Sequence, residues 1–268
     1  MITKEELINE FKRYLEWETE DFNGWESVEI FIGDTLSKAW IEARPEDAAT
    51  FEDEEFKHMV DGSNSKWLEK ESEDDTYKIL LSRRYCTTLK KMTASFIHGM
   101  VHCLNYMRAV RQLPFSEYCG GNIFYNDWSE FKAMYYLTRY EYFSRLGEDF
   151  GYRDKLNLMA EVLGRLSADS TAGLISARGN IRKERYFISR YVGASRAIRN
   201  LNMEEDLNEP AFHLWNMTPQ YIIENYEYVF YLGNEWDEMR ECALDATPRT
   251  YYYDRLIHRL HEADEFEE

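Results

Sequence analysis

The sequence predicts an α+β fold, mainly helical, with a small sheet from the first third packed on a pair of helices and a helical C-terminal half. Three observations carry this. Two short segments near the N-terminus alternate apolar and polar residues with the period of a strand. One long segment, 87–112, repeats apolar residues with the period of a helix. Most of the chain beyond residue 127 keeps that helical period. With 268 residues, 44% hydrophobic and 16% aromatic content, the chain can bury one sizeable core. The expectation is a single domain over 1–268, with a core at 76–146 and a helical subdomain at 147–268.

Residues 3–18 form an amphipathic helix: Leu7, Ile8, Phe11, Leu15 and Trp17 supply its stripe, and Thr3 with Glu6 has the spacing of a capping box. From Ser27 to Asp34, Val28, Ile30 and Ile32 alternate with Glu29 and Phe31, a strand that Gly33-Asp34 ends. Residues 42–75 hold thirteen carboxylates against Arg44, Lys57, Lys66 and Lys70, a net charge of −9, with a loop at Asp61–Ser65. Thr76–Arg83 is the second strand, with Tyr77, Ile79 and Leu81 on one side and Lys78 and Leu80 on the other.

Between Thr87 and Gln112, Leu89, Met92, Phe96, Met100, Cys103, Met107 and Val110 fall on one helical stripe, which Ile97, Val101 and Leu104 widen. Pro114 stops this helix, and residues 115–126 make a glycine-containing connection. A second helix runs from about Asp127 to Leu146, ended by Gly147, and further helices are expected at about 152–168, 178–200, 217–231 and 250–263. The helix from 178 reverses the charge bias. Arg178, Arg182, Lys183, Arg185, Arg190, Arg196 and Arg199 face only Glu184, a net of +6. The simplest account has this helix facing the acidic segment or solvent. Residues 262–268 read as an acidic tail.

Composition excludes several function classes. The net charge of −18 opposes binding to nucleic-acid phosphates and anionic membranes. A protein partner, if there is one, is expected to be basic. Cys86, Cys103, Cys119 and Cys242 match neither a zinc ribbon nor a disulfide scaffold, which suits a reducing compartment. The opening Met1-Ile2-Thr3-Lys4 shows no signal-peptide pattern and no apolar run is long enough to span a bilayer, so a cytoplasmic location is expected. There is no phosphate-cradling glycine loop, nucleotide fingerprint or Gly-x-Ser-x-Gly elbow.

The chemistry concentrates in His98-Gly99-Met100-Val101-His102. Four residues apart on a helix, His98 and His102 lie on one face about one turn apart, as two ligands of one zinc ion require. Small or neutral Ala94, Asn105 and Ala109 share that side. A third ligand must come from later in the chain. Glu130 is the first candidate, at the start of the next helix, and Glu141, three turns on, is the reserve. The alternative is that His98 and His102 are metal-free, hydrogen-bonded core or interface residues, and that Glu130 is a helix N-terminal carboxylate favoured by the helix dipole. His258 and His261 read as a surface pair, and His58 and His213 as ordinary.

A strand, a helix with H-E-x-x-H and a second helix bearing a glutamate is the layout of the gluzincin branch of zinc metallopeptidases. Residues 76–146 resemble it, through the strand at Tyr77–Ser82, the helix of His98 and His102, and the helix of Glu130. Trp128-Ser129-Glu130-Phe131-Lys132-Ala133 likewise resembles a W-S-E-F-x-A element of bacterial and mobile-element proteins of this type. The resemblance implies a zinc ion held by His98, His102 and Glu130. It also implies a glutamate at position 99 that takes a proton from metal-bound water. Gly99 stands there, which removes the base and weakens the helix by about 1 kcal/mol relative to alanine. Three accounts stay open: a site that lost activity but kept its fold, a variant of an active parent, or a base supplied from elsewhere in the cleft. Tyr186 and Tyr191, in the aromatic and basic run 185–193, are candidates to hold an oxyanion. The expected function is a zincin-like protein with a degenerate site, acting as a metal- or protein-binding module. The alternatives are an active zinc-dependent hydrolase and an acidic inhibitor that mimics nucleic acid and occupies a basic protein.

Overall fold

The structure is a computed structural model that describes residues 2–18, 22–73, 75–112 and 123–205. The helices expected at 217–231 and 250–263, the acidic tail, Cys119, Cys242, His213, His258 and His261 lie outside the described residues. The fold is α+β and mainly helical. Contacts divide the chain into two compact units, Met1–Arg108 and Ala109–Glu268, with the division falling inside one long helix.

In the first unit, α1 (Lys4–Trp17) starts with the expected capping box. The Glu6 amide donates to Thr3 Oγ1 at 3.1 Å and the Thr3 amide to Glu6 Oε2 at 2.8 Å. Leu7, Phe11 and Tyr14 form the buried face of this helix. A 3-10 turn at Trp25–Ser27, entered through Gly24 at φ 93°, leads into β1 (Val28–Gly33). That left-handed backbone suits glycine, which has no Cβ to clash.

Between β1 and the next strand lies structure that the acid-rich composition concealed. Helix α2 (Leu36–Ala43), a 3-10 segment (Pro45–Glu52) and α3 (Glu54–Asp61) succeed one another. Asp53 caps α3, accepting from the amides of Glu55 at 2.9 Å and Phe56 at 3.3 Å. The buried Asp61 carboxylate ties α3 to α2, accepting from Ser37 N at 2.7 Å and Ser37 Oγ at 3.0 Å. Inside this layer Trp40, Phe51 and Phe56 pack with centroids 5.4–6.3 Å apart, Trp40 edge-to-face with both phenylalanines and the phenylalanines tilted to each other.

Strands β2 (Ser65–Leu68) and β3 (Tyr77–Ser82) complete a sheet of order β1-β3-β2. β1 runs parallel to the central β3, from Val28 opposite Tyr77 to Gly33 opposite Ser82. β2 runs antiparallel to β3, with Lys66 opposite Leu80 and Trp67 opposite Ile79. Strand alternation sends residues to two faces. Leu68 and Leu80 join Leu36, Ala39, Phe51 and Val60 on the α2 side. Ile79 and Ser65 face α4 (Leu89–Gln112), and the Trp67 ring packs 4.8 Å from Tyr106 of that helix. α4 in turn presents Phe96 to Phe11 edge-on at 5.0 Å. The sheet is thus covered on both faces, with α2 supplying a layer that periodicity alone did not reveal.

The second unit is built of α5 (Ile123–Phe143), α6 (Tyr152–Ala177) and α7 (Ile181–Glu204), with α5 and α6 both packed on α7. α5 begins four residues earlier than expected. A positive-φ glycine, Gly179 at 90°, turns the chain from α6 into α7, which Asn180 caps through the Lys183 amide at 3.1 Å. Gly193 has a steric role: a Cβ there would lie 2.3 Å from the Phe131 carbonyl oxygen, so α5 and α7 approach as closely as they do only because that position has no side chain.

Candidate functional site

The expected histidine pair sits on α4 as the spacing requires. Both rings are half-buried, with centroids 4.7 Å apart. They open on a groove of about 610 Å³ within the first unit. The groove is bordered by Ser65–Glu69 of β2, by Trp40 and Arg44 of the α2 layer, and by His98, Gly99 and His102. β2 is an outer strand, and among the described residues it pairs with β3 alone. The groove therefore runs beside the edge of a sheet.

Two nitrogens bound to one zinc ion at about 2.0–2.1 Å can stand no more than about 4 Å apart. Imidazole rings with centroids 4.7 Å apart are compatible with that limit. Between them Gly99 is buried and helical. A Cβ at Gly99 would find Ile79 Cγ2 at 3.6 Å and Ser65 Oγ at 4.0 Å, which is ordinary contact. The backbone does not demand glycine here, so its presence costs the site a side chain without meeting a steric need.

Glu130 lies in the second unit. It is in the third turn of α5 rather than at its start, so the helix-dipole account of its carboxylate does not apply. Its Oε1 accepts from Arg190 Nη1 of α7 at 2.7 Å, and the same Arg190 Nη1 donates to Tyr186 Oη at 2.9 Å. Burial, then the Glu130 charge, raise the Tyr186 pKa, so its hydroxyl stays protonated at neutral pH. A carboxylate offers two oxygens and about four lone-pair sites, so an ion pair at Oε1 does not exhaust it. Two imidazoles and a carboxylate are a donor set that suits a metal ion, and within the first unit His98 and His102 supply the two imidazoles.

The other candidates have separate surroundings. Glu141 pairs with Arg165 of α6 at 2.8 Å. Tyr191 is 5% exposed within the second unit. Asp127, expected near the helix N-cap, is buried in α5, where Arg185 clasps it through Nε at 3.1 Å and Nη2 at 2.8 Å. Arg185 and Arg190 of the basic helix thus pair with Asp127 and Glu130 of α5.

Sequence reasoning missed the rest of the groove: Trp40, Arg44, Ser65, Lys66, Trp67 and Glu69. Two tryptophans, Trp40 and Trp67, and two bases, Arg44 and Lys66, in or beside a run dominated by carboxylates were the available signal. Arg44 bridges to Glu71 at 3.0 Å and Asp75 at 3.9 Å and donates to the Glu69 carbonyl oxygen. Glu69 Oε2 accepts from Tyr106 Oη at 2.6 Å. Of the described cysteines, Cys86 and Cys103 are both buried thiols. Burial pushes Cys103 up to about 12, so its thiol stays protonated at neutral pH.

Among the described residues no helix is long and apolar enough to cross a membrane. No protein-family model, curated protein or solved structure matches this chain.

Proposed function

We propose that this protein is a zincin-like metal-binding module whose hydrolytic centre is disabled and whose groove takes up an extended polypeptide. The observation that carries the reading is the His98–His102 pair, 4.7 Å apart on α4 and opening with Gly99 on the groove beside the β2 edge. An outer strand offers a row of backbone donors and acceptors to a further strand, which gives affinity for a main chain of any sequence. His98 and His102 would hold zinc, with Glu130 nominated as the third ligand. Bound zinc would supply a Lewis acid to polarise a carbonyl oxygen. Gly99 cannot accept a proton, so the chain's own residues bind and orient a peptide without cleaving it.

The test is metal content of the full chain by mass spectrometry, wild type beside His98→Ala. The expected result is about one zinc per chain, lost in the variant, with Glu130→Ala weakening retention. No metal in either protein after zinc is supplied overturns the reading. Gly99→Glu adds a second arm. The contacts around position 99 accept a Cβ, and the position borders the groove, so zinc-loaded Gly99→Glu is expected to gain slow, chelator-sensitive peptide hydrolysis.

One observation favours a second reading, an active hydrolase. Glu69 places a carboxylate in the groove, oriented by Tyr106. Peptide turnover by the zinc-loaded wild type that Glu69→Gln abolishes would make Glu69 the base.

A further inference from the structure

Lys66 differs from the paired cations of its segment. Arg44 is held by Glu71 and Asp75, and Lys57 by Glu54 at 2.9 Å. Lys66 has no carboxylate partner among the described residues, although the segment around it carries a net charge of −9. Its ammonium instead lies over the Trp40 indole, 4.6 Å from the ring centroid. The residue as a whole is exposed, but contact with that wall takes water from the ammonium and lowers its pKa, and among the described residues no neighbouring anion offsets the effect. A partly desolvated cation without a counter-charge gains more from an arriving carboxylate than one fully in water.

Its place in the sheet says where that carboxylate would come from. Lys66 pairs with Leu80 and shares the α2 face, whereas its neighbours Ser65 and Trp67 face α4. A segment laid along the outer edge of β2 would alternate in the same way. One of its side chains would stand beside Lys66. The residues before and after it would turn to the face of Trp67, Gly99 and the two histidines.

We propose that the groove selects an extended peptide segment carrying an aspartate or glutamate side chain, which Lys66 binds against the Trp40 ring. This rests on the groove taking up a polypeptide. The net charge of −18 does not oppose it at contact range, because screening over about 8 Å at physiological salt leaves the local pair to decide affinity. A partner that is basic overall still fits, provided the segment entering the groove carries this one acid.

Fluorescence anisotropy on the zinc-supplied full chain tests it. The probes are short fluorescein-labelled peptides in a threonine–alanine background with a central glutamate, glutamine or lysine. Wild type is expected to bind the glutamate peptide about fivefold more tightly than the glutamine one. Lys66→Ala should abolish that ratio, Lys66→Arg should keep the preference, and Lys66→Glu should turn it toward the lysine peptide. Equal binding of the glutamate and glutamine peptides by wild type overturns the role of Lys66 and leaves peptide uptake standing. Failure of all three peptides to bind overturns peptide uptake, and this inference with it. Unchanged thermal midpoints show that the variants fold.

Discussion

The two units bury their interiors by different means. The first closes a three-stranded sheet between α2 and α4 with rings and aliphatic chains: Phe11 against Phe96, and Trp40 against Phe51. Polar ties such as Ser37 to Asp61 and Arg44 to Glu71 join its elements around that core. The second threads charges through its helix contacts. Arg185 grips Asp127 with both side chains under one-tenth exposed, and Arg139 of α5 grips Glu204 of α7 through two bonds of 2.9 and 3.0 Å. Buried ion pairs contribute little net stability, since desolvation offsets the attraction, but breaking one leaves a stranded charge. The helical unit therefore depends on completeness of its pairs, whereas the sheet unit depends on packing and can leave a groove open.

The largest expected effect breaks the second side of this contrast. Arg185→Ala should destabilise the protein by about 3–5 kcal/mol by stranding Asp127. Replacing both residues with apolar ones should restore most of the loss, as read by denaturant unfolding. A loss below about 1 kcal/mol in the single variant would show that the pair is not sealed from water. A smaller effect of opposite sign sharpens the first side. Gly99→Ala should stabilise the sheet unit by about 0.5–1 kcal/mol, because its Cβ meets only ordinary contacts and the helix gains a better former. Amide hydrogen exchange along α4 would register the gain.

The smallest effect is acidic. Lys78 beside Asp75, then the Glu71 amide, hold the Asp75 carboxyl down to about 2 against an ordinary 3.8. A carboxyl depressed in the folded state stabilises above its ordinary value and loses that contribution as pH falls through the folded one. The contribution is therefore complete above pH 3.8 and gone below about 2. Because the site is solvent-screened, it amounts to less than about 1 kcal/mol. Acid titration of stability should be flatter for Asp75→Asn over that window.

How far the fold is legible in the sequence divides along the same line. α1, β1, β3 and α4 announce themselves because their signals are local: a capping box, alternation, and a six-turn stripe. The His98–His102 geometry comes with α4. By contrast α2, α3 and β2 are eight, eight and four residues long, too short for periodicity to rise above a crowd of carboxylates. While they stay unread, the groove they border is hidden too. Asp127 misleads in another way. It has the look of an N-cap, but its partner Arg185 lies 58 residues downstream, and no local pattern reports a long-range ion pair. Lys66 looks like one more compensating charge, since composition does not say which cations find partners.

The sheet order has a consequence in time. Among the described residues β1 has only β3 for a neighbour, and Val28 meets its partner Tyr77 about fifty residues later in the chain. At a synthesis rate of about 5–20 residues per second, β1 spends about 3–10 s made but unpaired. Through that interval Val28, Ile30 and Ile32 have no strand to join, and α1 has no sheet behind it. A nascent chain stalled before Ser82 should thus be the form most readily held by a chaperone, and release of the segment containing β3 the event that ends that hold.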